Sequence, residues 1–429
     1  MLKKFVPGFF ISFWIAASIS AQDGIEEIEI HGFLSQGYLK SSDNNYLVPS
    51  KQGSYEFNEA AVTFTSQVSA KLHVGAQLFS RDFGHEGNSA VVLDWAYGDY
   101  RWKDALGIRF GKIKTPYGFY NQGRDVDVLR TSVLLPQSVY DEDVRDFFLA
   151  FQGGSVYGDL IVPRIGSLDY ELCYGTISVP DPNSGYWRWV FSDLAEFINR
   201  SMPIGTFSTI KDPSVTGRYL FGGALRWNTP LQGLRLGVSD YTGKINANTK
   251  LELVVPVNLA MINPVLQGVV LPTIMNMNID INVDIKKYDA FSAEYSWNDL
   301  TLTGEYHSQD YDVNVSGIKV NYQGEGYYGQ AVYRFAKWLE LGMYYSEYYP
   351  VPGDKKGEHL ERYNKADQPK YIAWQKDACF MARFDLTNHW ILKLEGHRIN
   401  GCSQVKPSNN PDGLKKNWGL FAVKTSYRF

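Results

Sequence analysis

The stretch GKIKTPYGFYNQGRD, residues 111–125, opens a dense run of side chains that could do chemistry. Arg124, Asp125, Asp127, Arg130, Asp141, Glu142, Asp143, Arg145 and Asp146 follow a Thr-Pro-Tyr-Gly break. Three chemistries fit both charge signs at one turn. Paired carboxylates can move protons, oxygen ligands can hold a cation, and facing charges can sort ions by the field between them.

Proton transfer finds little support elsewhere in the chain. No Gly-x-Ser-x-Gly elbow and no His-Glu-x-x-His helix appears. The seven histidines, His31, His73, His85, His307, His359, His389 and His397, show no ligand-pair spacing. Cys173, Cys379 and Cys402 are far apart and odd in number, so neither a disulfide framework nor a cysteine zinc motif is expected. The run NMNIDINVDI alternates Asn276, Asn278, Asp280, Asn282 and Asp284 with apolar residues. Calcium takes its oxygens from a tight loop, so this run reads as the polar stripe of a strand. No catalytic residue, metal site or cofactor is expected.

The elements that must position these charges are legible from their period. In GLFAVKTSYRF, Phe421, Val423, Thr425, Tyr427 and Phe429 share one face, and Ala422, Lys424, Ser426 and Arg428 the other. The same alternation recurs around Leu234, Leu300 and Trp390. Short turns at 67–71, 102–105, 161–167, 228–233, 297–300, 336–339 and 387–390 interleave with long polar connections. The long ones are expected at 41–54, 80–89, 117–146, 179–217, 245–284, 309–322, 348–371 and 400–416. The reading is an all-β, transmembrane antiparallel β-barrel of about 16 strands, each about 9–12 residues long. Lipid offers the backbone no hydrogen bonds, so a sheet within it must close on itself. A soluble sandwich or propeller is the competing fold. Its strands are shorter, and it gains nothing from aromatics on an outer face.

Composition agrees. The chain of 429 residues is 15% aromatic, with 29 Tyr and 24 Phe. Interfacial girdles use such residues. Past the leader, no charge-free apolar run is long enough for a membrane helix. Residues 1–21, MLKKFVPGFFISFWIAASISA, read as a cleaved signal peptide, with Lys3 and Lys4 before an apolar core and a small-residue site. Residues 22–429 then form a single barrel domain. The formal net charge of −4 gives no sign of nucleic-acid binding.

Within that barrel, residues 117–146 fall on the long-loop side after the fifth strand. Val128, Leu129, Val133, Leu134 and Leu135 call for burial, which favours an inward-folded constriction loop over an ordinary surface loop. Arg124, Asp125, Asp127, Arg130, Asp141, Glu142, Asp143 and Arg145 would then line the constriction. Strand phase assigns Lys71, Arg109, Glu171, Arg226, Arg235, Glu305, Arg383, Lys393 and Glu395 to the pore wall. Glu294, Glu340, Lys424 and Arg428 share that phase. Residues 185–200 read as a short amphipathic helix. Residues 251–275, cut by Pro256, Pro264 and Pro272, are too apolar for an uncovered loop.

These residues carry a resemblance. IEIHGFLSQGYL as first strand, LGIRFGKIKTPYG leading into the loop, and KTSYRF as last strand are similar to Gram-negative outer-membrane porins. Residues 109–140 resemble the phosphate-selective porin O/P-like group most. That likeness implies a 16-stranded homotrimer in the bacterial outer membrane, among lipids and lipopolysaccharide, with passive diffusion of small solutes. The terminal Phe429 resembles the signal read by the barrel assembly machinery. The chain departs from a phosphate-selective pattern because it lacks a run of lumen-facing lysines. The expected function is a porin passing small hydrophilic solutes and ions. A substrate-specific channel, with Tyr328 and Tyr344 gripping solute, and a non-conducting barrel that presents its loops for adhesion or assembly are the alternatives. No enzyme is expected.

Overall fold

Strict alternation along each segment commits the chain to strands that face two environments. The computed structural model describes residues 27–84, 86–182, 185–201, 207–258, 270–360 and 368–429. The signal expected at 1–21 lies outside them.

Sixteen strands follow one another: β1 (Glu29–Ser41), β2 (Phe57–Ser69), β3 (Leu72–Phe83), β4 (Val91–Lys103), β5 (Leu106–Lys114), β6 (Ala150–Val162), β7 (Gly166–Ile177) and β8 (Phe207–Asn228). The remainder are β9 (Leu234–Asn258), β10 (Val270–Trp297), β11 (Leu300–Val315), β12 (Ile318–Ala336), β13 (Leu339–Tyr349), β14 (Gln375–Asp385), β15 (Trp390–Gly401) and β16 (Asn417–Arg428). Each pairs antiparallel with its sequence neighbours, and β16 pairs with β1 from Phe33↔Arg428 to Ser41↔Leu420. The ring is closed at the level all sixteen strands share, so no strand edge is bare there; above it, β8 before Leu220 and β12 before Glu325 lack a partner on one side. Among the described residues two α-helices interrupt the ring, α1 (Arg145–Phe148) and α2 (Gly185–Ser201). No described helix is long and apolar enough to cross a membrane.

The two faces divide as the alternation demands. Phe110, Leu172, Phe291, Phe335, Met343 and Phe380 are exposed on the outside. Their neighbours in sequence, among them Arg109, Glu171, Ser292 and Tyr344, turn inward. Trp102, Trp297, Trp338 and Trp390 sit exposed beside the short turns, forming an aromatic belt at that end of the barrel. Phe429 lies at the same end, where its backbone exchanges two 3.0 Å hydrogen bonds with Gly32.

Three expectations need correction. Residues 309–322 are no loop: β11 and β12 pair down to Val315↔Ile318, closed by Ser316 (φ 47) and Gly317 (φ 98). Two positive-φ residues in a row make the tight hairpin turn, and Gly317 takes the left-handed position at no steric cost. Residues 245–284 are likewise mostly strand, with Val270↔Asn258 and Asn278↔Lys250 in register between β9 and β10. Only 259–269, outside the described residues, separates the two strands. Within 179–217 the helix stands where the amphipathic pattern of 185–200 puts it, as α2, and the departure is that β8 already starts at Phe207.

Strand length is therefore uneven. β5 has 9 residues and β16 has 12, but β8, β9 and β10 have 22, 25 and 28. A membrane crossing needs only about 9–11. The extra length forms a tall wall on one side of the ring. Its apolar stripe is covered from within the chain: Leu251, Leu253, Ile279 and Ile281 share a buried cluster with Trp187 and Phe191 of α2. That cover answers the apolar excess of residues 251–275 at Leu251 and Leu253.

Candidate functional site

The connection between β5 and β6 spans 115–149. Its ends are tied where Thr115 N–H donates to Leu149 O at 2.9 Å. Asn121 Nδ2 reinforces the knot, donating to Thr115 O and Phe148 O at 3.0 Å each. Pro116 ends β5 because it cannot continue the ladder. Gly118 has φ 54, and a Cβ there would strike the Tyr140 hydroxyl. The turn therefore requires glycine.

One set of contacts holds the first part of the segment to β8–β12. Glu305 on β11 is the hub. It accepts from Phe119 N at 2.9 Å, Tyr140 OH at 2.7 Å, Tyr328 OH at 2.6 Å and Ser292 Oγ at 2.5 Å. Tyr117 OH sits 2.6 Å from His307 Nδ1. Arg226 donates to Gly118 O at 3.3 Å, and Arg235 stacks over the Phe119 ring at 4.3 Å.

A second set holds residues 124–134 to β14–β16. Glu395 accepts from the backbone of Val133 at 2.7 Å and of Leu134 at 3.1 Å. Lys393 donates to Asp127 O at 2.7 Å and Ser132 O at 2.9 Å. Arg383 donates to Val128 O at 2.6 Å. The Asp127 carboxylate receives Lys424 at 2.8 Å, Arg130 at 3.1 Å and Ser426 Oγ at 2.5 Å. A third set reaches β3 and β5. Asp125 pairs with Lys114 and accepts from Gln77 at 2.7 Å, while Arg81 holds Glu142 at 3.1 Å and Asp146 at 3.2 Å.

The eight expected constriction residues thus lie in one segment, but they are paired rather than bare. Arg124 meets Glu142 at 2.7 Å, Arg145 meets Asp146 at 3.1 Å, and Asp143 meets Lys406 at 3.0 Å. Asp141 accepts from the Asp143 backbone at 2.9 Å. Burial alone would lift the Glu142 carboxyl, yet Arg124, Arg81 and Arg145 hold it down at about 2. Burial also works against the Asp127 anion, and Lys424, Lys393 and Arg130 outweigh it, so Asp127 stays far below the usual carboxylate range. Asp141 goes the other way: burial, then the neighbouring Asp143, push it up to about 7.

The wall residues divide. Glu305, Arg383, Lys393 and Glu395 face inward as their phase predicts, and the segment covers them; Lys393 is wholly buried. Tyr328 and Tyr344 are buried too, with hydroxyls committed to Glu305 and to Asp377 at 3.0 Å. Arg109, Arg226 and Arg235 are half-buried and keep more of the open interior, whereas Glu171 is buried. Arg109 joins Asp99 at 2.8 Å and Glu171 at 3.2 Å, and Arg235 joins Glu294 at 2.9 Å with 37% of its side chain exposed. Glu340 pairs with Arg334 at 2.7 Å. Lys71 must be corrected: β2 ends at Ser69, and Lys71 stands exposed in the turn to β3. Arg428 lies exposed at the end of β16, donating to Asn388 O at 2.7 Å.

Sequence reading missed the acceptors that hold the segment's backbone. Phase placed Glu305 and Glu395 inward but could not say that each meets backbone N–H groups of residues far away in sequence. It missed Arg81 and Lys114 as partners altogether.

No protein-family model matches the chain, and no curated protein matches it. Solved structures do. OmpF of Salmonella typhi, in complex with daunomycin, aligns over 94% of this chain and 98% of its own, with a TM-score of 0.52 and 10% identity. The anion-selective porin of Comamonas acidovorans covers 94% and 99%, at 0.51 and 12%. The outer-membrane channel DcaP of Acinetobacter baumannii covers 95% and 99%, at 0.51 and 10%. At these identities the likeness is one of architecture: the chain has the closed sixteen-stranded barrel that these outer-membrane porins and channels share.

Proposed function

We propose that this barrel is a passive channel of the bacterial outer membrane, carrying small hydrophilic solutes and ions down their gradients. The observation that carries the reading is the reach of one segment. Residues 115–149 are bonded both to Arg226 on β8 and to Lys424 and Asp127's other partners on β16. Those strands stand on opposite sides of the ring. A connection anchored on both sides narrows whatever passes between them.

Selectivity then belongs to the charges that the segment leaves accessible. Arg109 meets Asp99 and Glu171 and Arg235 meets Glu294, while Arg226 bonds to Gly118 O and Gln122, so the field is mixed in sign. The likeness of residues 109–140 to phosphate-selective porins is kept as a likeness of strand and loop; phosphate selectivity is not part of the proposal. A homotrimer, seated among lipids and lipopolysaccharide and folded by the barrel assembly machinery, is the assembly that reading implies.

Reconstitution in a planar bilayer tests it. Purified protein should give stepwise, ohmic conductance that does not saturate with solute. Absence of conductance from folded protein would favour a barrel that serves through its tall β8–β12 wall. Saturable block by one solute would favour a substrate-specific channel.

A further inference from the structure

A second cluster of reactive groups stands on the inner faces of β14 and β15. Cys379 and His397 are direct cross-strand partners. Glu395 precedes His397 by two residues, so the strand period brings it to the same face. His397 Nε2 lies 3.3 Å from Glu395 Oε2 and 3.8 Å from Cys379 Sγ. All three donor atoms fall within 4.8 Å of one another, and all three residues are buried.

The two separations measured from His397 fit a tetrahedral ion. Zinc bonds of about 2.3 Å to sulfur and about 2.0–2.1 Å to nitrogen or oxygen place S and N roughly 3.6 Å apart, and N and O roughly 3.3 Å apart. The surroundings have the form such a site needs. His397 Nδ1 is 2.9 Å from Asp377 Oδ2, which orients the ring and leaves Nε2 aimed at the cluster. Tyr344 OH donates to the same Asp377 oxygen at 3.0 Å. The second Asp377 oxygen, Oδ1, is buried with no hydrogen-bond partner in the protein.

We propose that Cys379, Glu395 and His397 bind a borderline-soft divalent metal ion of the zinc class. Sulfur and nitrogen donors disfavour calcium and magnesium. Binding would displace the Cys379 thiol proton and use the His397 Nε2 lone pair. Glu395 also accepts from Val133 and Leu134, so the ion would share a ligand with the anchor of the 115–149 segment. Its role is a staple between β14, β15 and that segment, and it holds whether or not the barrel conducts.

Cobalt(II) is the probe. Full-length protein refolded in detergent with Co2+ should take up one equivalent and show thiolate-to-cobalt charge-transfer absorption, both displaced by Zn2+. Cys379→Ser should abolish the band, whereas Cys173→Ser and Cys402→Ser should leave it. Circular dichroism and heat-modifiable gel migration report folding of each variant. Should Cys379→Ser fail to fold, His397→Gln keeps the thiol and should still lose the bound equivalent. Folded wild-type protein without the band, or folded Cys379→Ser with it unchanged, overturns the site.

Discussion

Lys424 Nζ lies 2.8 Å from the carboxylate of Asp127, joining the last strand of the barrel to a segment that leaves the wall at β5. Lys393 and Arg130 share the same anion, at 3.5 and 3.1 Å. Asp127→Asn would leave the buried Lys393 ammonium without its counter-charge and Lys424 with Glu59 alone. Loss of one partner of a buried pair costs about 3–5 kcal/mol. We expect residues 124–134 to detach, becoming open to proteolysis, and conductance to rise. The folded Asp127 carboxyl sits below its unfolded value, so its stabilising effect is full above the unfolded value of about 4 and is lost on acidification below it. Denaturant midpoints at falling pH, flattened in Asp127→Asn, check the sign.

A second group in this region titrates in the opposite sense. Asp141 is pushed up to about 7 by burial and then by Asp143. A carboxyl raised on folding gives stability that is full below its unfolded value, about 4, and lost as pH rises to its folded value. The segment around Asp141 should therefore loosen between about pH 4 and about pH 7. Hydrogen exchange of 137–146, corrected for intrinsic rate, should quicken over that window. Asp141→Asn should remove the dependence.

Ion preference should answer to the accessible arginines rather than the clamped ones. Replacing Arg235 by Glu reverses a charge that keeps 37% of its side chain exposed, and leaves the bond from Arg226 to Gly118 O in place. In a KCl gradient the reversal potential should move towards cation preference. Replacing Arg124 and Arg130 breaks their bonds to Glu142 and Asp127. That pair of changes should alter conductance through a displaced segment, with erratic open levels. A clean shift of selectivity from Arg124 and Arg130 alone would overturn this assignment.

Gly118 gives a backbone test. Alanine at its φ of 54 costs about 1–2 kcal/mol in a left-handed conformation, before its Cβ meets the Tyr140 hydroxyl. Gly118→Ala should lower the unfolding midpoint and disturb Phe119 and Tyr140 at Glu305. Gly413→Ala, also at positive φ but with nothing near its Cβ, carries only the conformational cost. The difference between the two variants measures the crowding at Gly118.

Alternation made most of this fold legible. Phe421, Tyr427 and Trp390 face outward and Lys424 and Lys393 inward, as period 2 requires. The short turns stand where they were expected, because few residues there can continue a ladder. The upper wall was misread for a physical reason. Gln309 to Tyr322 is rich in Asn and Asp, residues that favour turns, yet here it forms a long hairpin; the polar stripe of Asn276 to Asp284 is strand, as its alternation predicts. The charges of the 115–149 segment were visible as types and not as pairs. Which acid meets which base depends on contacts between strands far apart in sequence, as Asp127 with Lys424 or Arg81 with Glu142 show. Cys379 and His397 were passed over for the same reason: their meeting is a matter of register.

The seam between Gly32 and Phe429 has a kinetic consequence. Every other strand pair is local along the chain, and each hairpin can form from its own sequence. The β1–β16 seam alone must bring together strands from opposite ends of the sequence, the least probable encounter in the ring. Until it forms, β1 and β16 are bare edges able to join another chain. Closing the seam is then the committing event of folding, and the Gly32–Phe429 latch marks its completion.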